Sequence, residues 1–322
     1  MSRCRFVWPL LAGISFAAAA QTPDRTSQTI KLPSAAISGA LSSNADRAAI
    51  VGVDKRLRVW NLADGRLVHT IELATADTDY TAISPGGRWI VTGDATGKVI
   101  VWNAETGTSQ FQAQIPHAPS AAAFSSDGKI LAIAPASEPI QIFDIEFGRK
   151  ICETGVVTGG TAAIAFARNG ASIAAADTDT VVRISDARTC KLIAENRDFL
   201  LEPLAIDFTP DGTQVVAAGA DKVIAFIDAT NGKLIRKLPK IEQPVSWSSL
   251  QVSPDGKRFA TVSMTAENLN KPRPVAIWDL ASGEKTSEWM PPTIARSIGW
   301  THDGHLISAG GDADSLFIWR IQ

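Results

Sequence analysis

Short apolar runs alternate with turn residues along almost the whole chain. The stretch from Tyr80 to Gly107 shows the repeating unit, with three runs of β-branched and aromatic residues that end at Ile83, Val91 and Trp102. The turns between them read Ser-Pro-Gly-Gly and Gly-Asp-Ala-Thr-Gly. Short apolar runs bounded by Pro, Gly and Asp predict antiparallel strands joined by hairpins.

This unit recurs seven times. The turn before the second strand recurs at Asp46, Gly87, Gly128, Gly170, Gly212, Gly256 and Gly304. The third strand ends at Trp60, Trp102, Phe143, Ser185, Ile227, Trp278 and Trp319. Successive third-strand ends are 41 or 42 residues apart, except for 51 into the sixth copy. A period near 42 residues, with three or four short strands in each copy, predicts a β-propeller.

Several of these residues resemble the repeats of the WD-repeat β-propeller family. The motifs are Ser-Pro-Asp-Gly at 253–256, Thr-Pro-Asp-Gly at 209–212, Ser-Ser-Asp-Gly at 125–128 and Trp-Asp at 278–279. Asp54, Asp179 and Asp221, each six residues before a third-strand end, match the family's structural aspartate in a tight turn. The resemblance covers nearly all of residues 26–322. It implies a non-enzymatic platform that presents loops to a protein or peptide.

The chain departs from the family in one respect. The Gly-His pair that opens many family repeats is absent, and His117 is displaced from the matching position. We therefore expect the blades to depend more on apolar packing between sheets than on the family's hydrogen-bond tetrads. The tryptophans at third-strand ends, together with Trp289 and Trp300, are expected in this packing.

The outer strand of the last blade is expected to come from the start of the chain. A fourth strand follows in each of the first six copies, but the seventh ends at Gln322, just after Trp319. Residues 29–32 read like residues 70–73, 41 positions later. Because radial closure protects sheet edges, we expect residues 26–33 to complete blade seven. The predicted fold class is all-β, a seven-bladed propeller of four-stranded antiparallel blades. The alternative is a loose N-terminus.

The first twenty residues differ from the rest. Arg3 and Arg5 precede an apolar stretch that ends Ala18-Ala19-Ala20 before Gln21. This pattern predicts a secretory signal peptide at 1–20, and the stretch is shorter than the roughly twenty residues of a membrane span. The expected organisation is that signal peptide, a short tail at 21–25 and one propeller domain at 26–322. The mature protein would be periplasmic or extracellular, with no transmembrane segment.

Composition excludes some partners and leaves the cysteines as a question. The net charge of −2 gives no reason to expect nucleic acid, which needs a clustered basic surface. Cys4 would leave with the signal peptide, so Cys152 and Cys190 remain. Two cysteines in a secreted protein are candidates for a disulfide. We expect both on outer strands of neighbouring blades, beyond the roughly 7 Å Cα limit, and therefore unpaired.

No motif in the chain predicts a reaction. The segment 93–98 lacks the spacing, the following Ser/Thr and the helix of a phosphate loop, so a turn explains it. His302, Asp303 and His305 straddle a hairpin turn without a further metal ligand. The carboxylate pairs Asp177/Asp179 and Asp312/Asp314 are typical of turns. Asp207 is expected to bond to a neighbouring blade. We assign no catalytic residue, metal ligand or cofactor.

The one large irregularity of the repeat indicates a binding site. Seven extra residues in the sixth copy fall within 265–274, between its second and third strands. In a four-stranded meander this loop and the connection carrying Trp247 emerge at the same end. Trp247, Asn268, Lys271 and Arg273 would then share one rim, with Tyr80 at the same end of blade two. Trp, Tyr and Arg are frequent hot-spot residues, and two prolines stiffen the loop.

We therefore predict that this rim binds an unidentified protein or peptide; the alternative is a tolerated surface insertion. The rival class is a propeller enzyme, such as a quinoprotein-like oxidoreductase, a lactonase or a hydrolase, with its site at the central channel. Such sites need clustered His, Asp, Glu or Arg. The inner-strand positions are mostly small residues, namely Gly39, Ala121, Ala163, Ala205, Ser249 and Ser297. A third possibility is a scaffold in envelope assembly.

Overall fold

The computed structural model describes residues 25–44, 46–73, 78–155, 159–238, 246–264, 274–291, 295–301, 303–310 and 315–321. The predicted signal peptide at 1–20 and most of the predicted tail lie outside this range. The strands of the first half are β1 (Arg25–Lys31), β2 (Ala36–Leu41), β3 (Arg47–Gly52), β4 (Arg56–Asn61), β5 (Leu67–Glu72), β6 (Thr78–Ile83), β7 (Trp89–Asp94), β8 (Lys98–Asn103), β9 (Ser109–Gln114), β10 (Pro119–Phe124), β11 (Ile130–Pro135), β12 (Gln141–Asp144), β13 (Arg149–Glu153) and β14 (Thr161–Phe166).

The strands of the second half are β15 (Ser172–Asp177), β16 (Val182–Asp186), β17 (Leu192–Asn196), β18 (Pro203–Phe208), β19 (Gln214–Gly219), β20 (Ile224–Asp228), β21 (Leu234–Lys237), β22 (Ser246–Val252), β23 (Arg258–Met264), β24 (Val275–Asp279), β25 (Lys285–Trp289), β26 (Ala295–Trp300), β27 (Leu306–Gly310) and β28 (Ser315–Ile321).

The strands form seven four-stranded antiparallel sheets, which are the blades of a propeller. In six of them the four strands are consecutive in the chain, from β2-β3-β4-β5 in blade one to β22-β23-β24-β25 in blade six. Each blade is therefore a meander of three hairpins, as the period of 41 or 42 residues predicts. The predicted fold class is confirmed.

A hydroxyl residue and an aspartate define the turn between the first two strands. In blade three the Ser125 hydroxyl donates to Asp127 at 2.6 Å and accepts from the Ile130 amide at 3.0 Å. Gly128 has a φ of +67°, which favours glycine, and its amide reaches the Ser125 carbonyl at 2.9 Å. The Ser/Thr-x-Asp-Gly motif is thus a self-bonded turn that ends the innermost strand.

The two ends of the chain close the ring. β1 pairs with β28 in antiparallel register, with Gln28 opposite Ile318 and Ile30 opposite Leu316. The side chains of Ile30 and Leu32 are buried in a cluster that also contains Trp60 of blade one. β1 therefore completes blade seven and also packs against blade one, which confirms the predicted closure.

Apolar side chains fill the spaces between neighbouring blades. Trp278 of blade six stacks on Phe259, with ring centroids 5.8 Å apart, and donates from Nε1 to the Thr261 hydroxyl at 3.0 Å. Their cluster continues into blade five, where Phe226 is fully buried. The predicted core tryptophans are buried at Trp60, Trp278, Trp289, Trp300 and Trp319. Trp102 is half-buried.

The prediction that the two cysteines are unpaired is wrong. Cys152 and Cys190 form a disulfide with a Cα–Cα distance of 5.9 Å. Cys152 lies on the outer strand β13 of blade three, as expected. Cys190, however, precedes the outer strand β17 and sits in the turn between the third and fourth strands of blade four. The separation expected from two outer strands therefore does not apply.

The position of Cys190 explains why the two sulfurs meet. Glycines with positive φ hold the same turn position in the other blades, at Gly65, Gly107, Gly148, Gly232 and Gly283. A Cβ at any of them would lie within 2.8 Å of the preceding blade's outer strand or the residue that follows it. Cys190 keeps the positive φ, at 58°. Its Cβ therefore points at the outer strand of blade three, where the two sulfurs bond.

Candidate interaction face

The inter-blade connections and the turns between second and third strands emerge at one end of the ring, which we call the connection face. This follows from the meander, in which the first and third strands run in one direction and the second and fourth in the other. The residues predicted to bind a protein or peptide are expected on this face. The described part of it carries three anchored turns, in blades one, four and five.

In blade one the anchor is an arginine four residues after the structural aspartate. Arg58 donates from Nη1 to Asp54 at 3.0 Å and from Nη2 to the other carboxylate oxygen. The Ser34 hydroxyl, from the connection that enters the blade, donates to Asp54 at 2.8 Å. The hydrogen bond from Arg58 holds the pKa of Asp54 well below its usual range. The Asp54 carboxylate therefore stays ionised, and it ties the turn to the connection that enters the blade.

Blade four uses the same arginine position with two carboxylates. Arg183 donates to Asp177 at 2.8 Å and to both oxygens of Asp179, at 3.0 and 2.7 Å. The Thr161 hydroxyl donates to the fully buried Asp177 at 2.6 Å. Burial raises the pKa of Asp177, while the bonds to Asp179 raise the pKa of Arg183. Both carboxylates therefore belong to a hydrogen-bonded structural network.

Blade five ties a connection to its turn through Asp221. The buried Asp221 carboxylate accepts the Leu200 amide at 3.1 Å and the Val223 amide at 3.3 Å. The Ala220 amide donates to the Glu202 carbonyl at 2.8 Å. Lys237 of the same blade donates to the carbonyl of Asp198 at 2.6 Å. Residues 198–202 are thus fixed by hydrogen bonds at both ends and in the middle.

This fixed segment presents two leucines to solvent. Leu200 is 82% exposed and Leu201 is 53% exposed, whereas the preceding Phe199 is buried. A Cβ on Gly219 would lie 2.7 Å from the Phe199 ring, so the glycine makes room for that anchor. Exposed apolar side chains on an ordered segment lose little conformational freedom on binding. We call the segment 198–202 the leucine loop.

The innermost strands hold two polar side chains that bond to the next blade. Asp207 of blade five accepts the Val252 amide of blade six at 2.8 Å, as expected from the sequence, and the Phe208 amide at 2.8 Å. Burial raises the pKa of Asp207 to about 6. Burial also raises the pKa of Tyr80, whose environment includes a hydrogen bond with the backbone of Ala122 in blade three.

Replacing Asp207 with asparagine is expected to shift the stability relative to wild type in the variant's favour as the pH rises from 4 to 8. The raised pKa means that the folded state disfavours the carboxylate, so the cost appears as the pH rises through about 6. The shift from 3.8 corresponds to a gain of about 1 to 3 kcal/mol at pH 8 relative to pH 4. Urea unfolding of both proteins at the two pH values measures it. An equal difference at both values would contradict this assignment.

The remaining candidates for chemistry form turns. Asp94 in the segment 93–98 accepts the amides of Thr96 and Lys98 at 2.9 and 3.0 Å. Asp303 accepts the Thr301 hydroxyl, and His305 lies 3.6 Å from the Asp303 carboxylate. His302, Asp312 and Asp314 lie outside the described residues. Within the described ranges, no group of three or more His, Cys, Asp or Glu side chains is placed to hold a metal ion.

The predicted binding residues are described only in part. Tyr80 is half-buried on β6, the innermost strand of blade two. Trp247 was predicted in the connection that enters blade six, but its backbone lies in the innermost strand β22, opposite Ser263. The Trp247 side chain, Asn268, Lys271 and Arg273 lie outside the described residues. Their role as one binding rim stays a prediction.

The leucine loop was missed, although the sequence carries a signal for it. Two consecutive leucines stand between Asp198 and Glu202 in a connection, where turn residues are usual. Phe199 could be taken for an equal member of the apolar run. The structure shows that Phe199 is buried and that Leu200 and Leu201 are exposed. The sequence pattern alone does not make this distinction.

The architecture is that of a β-propeller, and the repeat motifs are similar to those of the WD-repeat family. The WD40 family, described as WD domain, G-beta repeat, matches residues 65–103. Such propellers are typically protein-interaction scaffolds.

Two known proteins extend the comparison. The WD repeat-containing protein SL1-17 of Schistosoma mansoni is 33% identical over 116 residues, which are 35% of this chain and 38% of that protein. The match thus spans well under half of either protein. The β-propeller domain of Cps50 (Swd1) from Myceliophteria thermophila superposes with a TM-score of 0.75 at 18% identity, covering 92% of this chain and 100% of that domain. That likeness shows the fold.

Among the described residues there is no helix with the length and hydropathy of a membrane span.

Proposed function

We propose that this protein is an exported, non-enzymatic propeller whose connection face binds a protein or peptide. The observation that carries the proposal is the leucine loop, in which Leu200 and Leu201 are exposed on a segment held by Asp221 and Lys237. Apolar side chains on an ordered support can bind a partner with little loss of conformational freedom.

The chemistry of the face supports binding over catalysis. Its described carboxylates in blades one and four are bound by Arg58 and Arg183. The Asp221 carboxylate of blade five accepts hydrogen bonds from backbone amides. A catalytic acid or base must be able to reach a substrate, whereas these carboxylates are already bound by arginines or backbone amides. The face therefore offers shape and apolar contact.

Two observations support export. The first twenty residues have the composition of a signal peptide. The two cysteines outside that stretch form a disulfide, and disulfides persist in oxidising compartments. Protein isolated from its native cells should therefore begin at Gln21. An N-terminus at residue 1 or 2 would contradict export by cleavage.

The binding proposal is tested by photo-cross-linking in the native cells. A photoreactive residue at Leu201 should give a discrete cross-linked product, while the same residue at Leu67, 43% exposed on the outer edge of blade one, should give none. Replacing Leu200 and Leu201 with serine should lower capture of that product at least about tenfold. The double change Trp247→Ala and Arg273→Ala tests the rim predicted from the sequence in the same assay.

Equal cross-linking at Leu201 and Leu67 would contradict the leucine loop as the binding site. Unchanged capture by the Trp247 and Arg273 variant would end the predicted role of that rim. Because Leu200 and Leu201 are exposed, the serine variant should keep the wild-type midpoint of thermal unfolding.

A further inference from the structure

A second exposed apolar surface lies on the outer edge of blades three, four and five, at the opposite end from the connection face. We call it the basic-aliphatic rim, and it consists of Ile151, Lys191, Leu192, Ile193, Lys233 and Ile235. Its aliphatic side chains are 39%, 54%, 44% and 49% exposed at Ile151, Leu192, Ile193 and Ile235. The three isoleucines hold the same place in successive blades.

A repeated irregularity of the outer strands exposes these isoleucines. The pairing of third and fourth strands skips one residue in each of these blades, at Ile151, Ile193 and Ile235. A bulged residue leaves the regular ladder and redirects its side chain. In blades two and six the skipped residues are the polar Gln110 and Thr286. In blade one the skipped residue is Val68. Aliphatic bulge residues thus occur in blade one and in the three consecutive blades three to five.

Contacts between the blades make the rim continuous. The disulfide joins Cys152, next to Ile151, to Cys190, which precedes Lys191. At the next boundary, the Asn196 side chain donates to the Gly232 carbonyl at 3.0 Å. Gly232 precedes Lys233, so the lysine and aliphatic positions of blades four and five follow one another. The rim is one surface across three blades.

The charges on this surface are unbalanced, although the whole chain is slightly acidic with a net charge of −2. Two acidic side chains of the outer strands form ion pairs, Glu153 with Lys150 at 2.8 Å and Glu195 with Arg197 at 2.9 Å. Lys191 and Lys233 are exposed and form no ion pair with an acidic residue in the described ranges. Arg188, in the turn beside Cys190, is likewise exposed. The unpaired charges of Lys191 and Lys233 therefore flank the exposed aliphatic side chains, whereas Arg188 interacts with the Asp186 carboxylate.

We propose that the basic-aliphatic rim docks the propeller on an anionic lipid bilayer. Lys and Arg side chains are attracted to anionic headgroups, and aliphatic tips bury in the region between headgroups and acyl chains. The aliphatic side chains stand on three separate blades along the convex edge of the ring. A fluid bilayer surrounds such separate tips, whereas a folded partner would need a matching concavity.

Sedimentation with vesicles tests the proposal. The purified protein should bind vesicles of phosphatidylcholine with 30% phosphatidylglycerol about tenfold or more better than pure phosphatidylcholine vesicles at low salt. Binding should fall when salt is raised, since the charges are exposed. Lys191→Glu with Lys233→Glu should abolish the preference for the anionic vesicles. Leu192→Ser with Ile193→Ser should weaken binding to them severalfold.

Blade one supplies the matched control. Leu67 and Val68 are 43% and 38% exposed on its outer strand, but the neighbouring Arg66 lies 3.9 Å from the Asp64 carboxylate. Leu67→Ser with Val68→Ser should leave vesicle binding unchanged. Equal binding to neutral and anionic vesicles would overturn the proposal. Binding to poly-glutamate but not to anionic vesicles would also overturn it, in favour of an acidic polypeptide. Neither outcome bears on the connection face.

Discussion

Replacing Ile30 and Leu32 with alanine is expected to remove most of the stability of the protein. Both side chains are buried where β1 packs between β28 and blade one, at 6% and 7% exposure. Each truncation of a buried Ile or Leu costs about 2–5 kcal/mol, and a typical domain has about 5–15 kcal/mol in total. Urea unfolding followed by tryptophan fluorescence measures the loss.

Thr29→Ala is the matched control, because Thr29 directly precedes Ile30 on the same strand and is exposed. Its expected effect is within about 0.5 kcal/mol. If the Ile30 and Leu32 variant were as stable as the Thr29 variant, β1 would not be closing the ring.

The second large effect is expected on removing the disulfide. Cys152→Ser with Cys190→Ser should lower the free energy of unfolding by about 2–4 kcal/mol, since the bond closes a loop with a sequence separation of 38. Reduction of the wild-type protein should give the same value. Alkylation of unfolded protein without reductant should leave both cysteines unlabelled, as read by intact mass.

A second variant separates the covalent bond from the strained turn. Cys152→Ala with Cys190→Gly restores the residue that the other blades use at this turn. Glycine adopts the positive φ of this position without steric cost. This variant should therefore be about 1 kcal/mol more stable than the double serine variant. Two alkylated cysteines in the wild-type protein would contradict the disulfide altogether.

The fold could be predicted because its unit is repeated. A turn such as Ser125–Gly128 is weak evidence alone, but seven copies at a near-constant spacing leave few architectures. The closing strand was predictable for the same reason, since residues 29–32 match residues 70–73. The bond from Asp207 to the next blade was predictable from the need of an inner-strand carboxylate for a partner.

The disulfide could not be predicted from strand positions alone, because Cys190 belongs to a turn. Aligning the six turns between third and fourth strands would have shown a cysteine in a column of glycines. The arginine anchors were also readable, since Arg58 and Arg183 each follow the structural aspartate by four residues. Which carboxylates these arginines bind, however, is revealed only by the side-chain geometry.

The exposed surfaces were the hardest to predict. Leu200 and Leu201 lie in a connection whose hydrogen bonds come from Asp221 and Lys237, which are distant in sequence. Isoleucines at strand bulges look like core residues until the register is known. Exposure at both surfaces depends on tertiary contacts that a local pattern does not encode.

Amide hydrogen exchange across the two chain ends tests the ring closure most directly. If β1 pairs with β28 as described, the alternate amides of residues 25–31 that face β28 should exchange as slowly as those of residues 315–321, because both open only when the blade unfolds. Exchange of those amides within seconds, beside a protected β28, would contradict closure by the N-terminal strand.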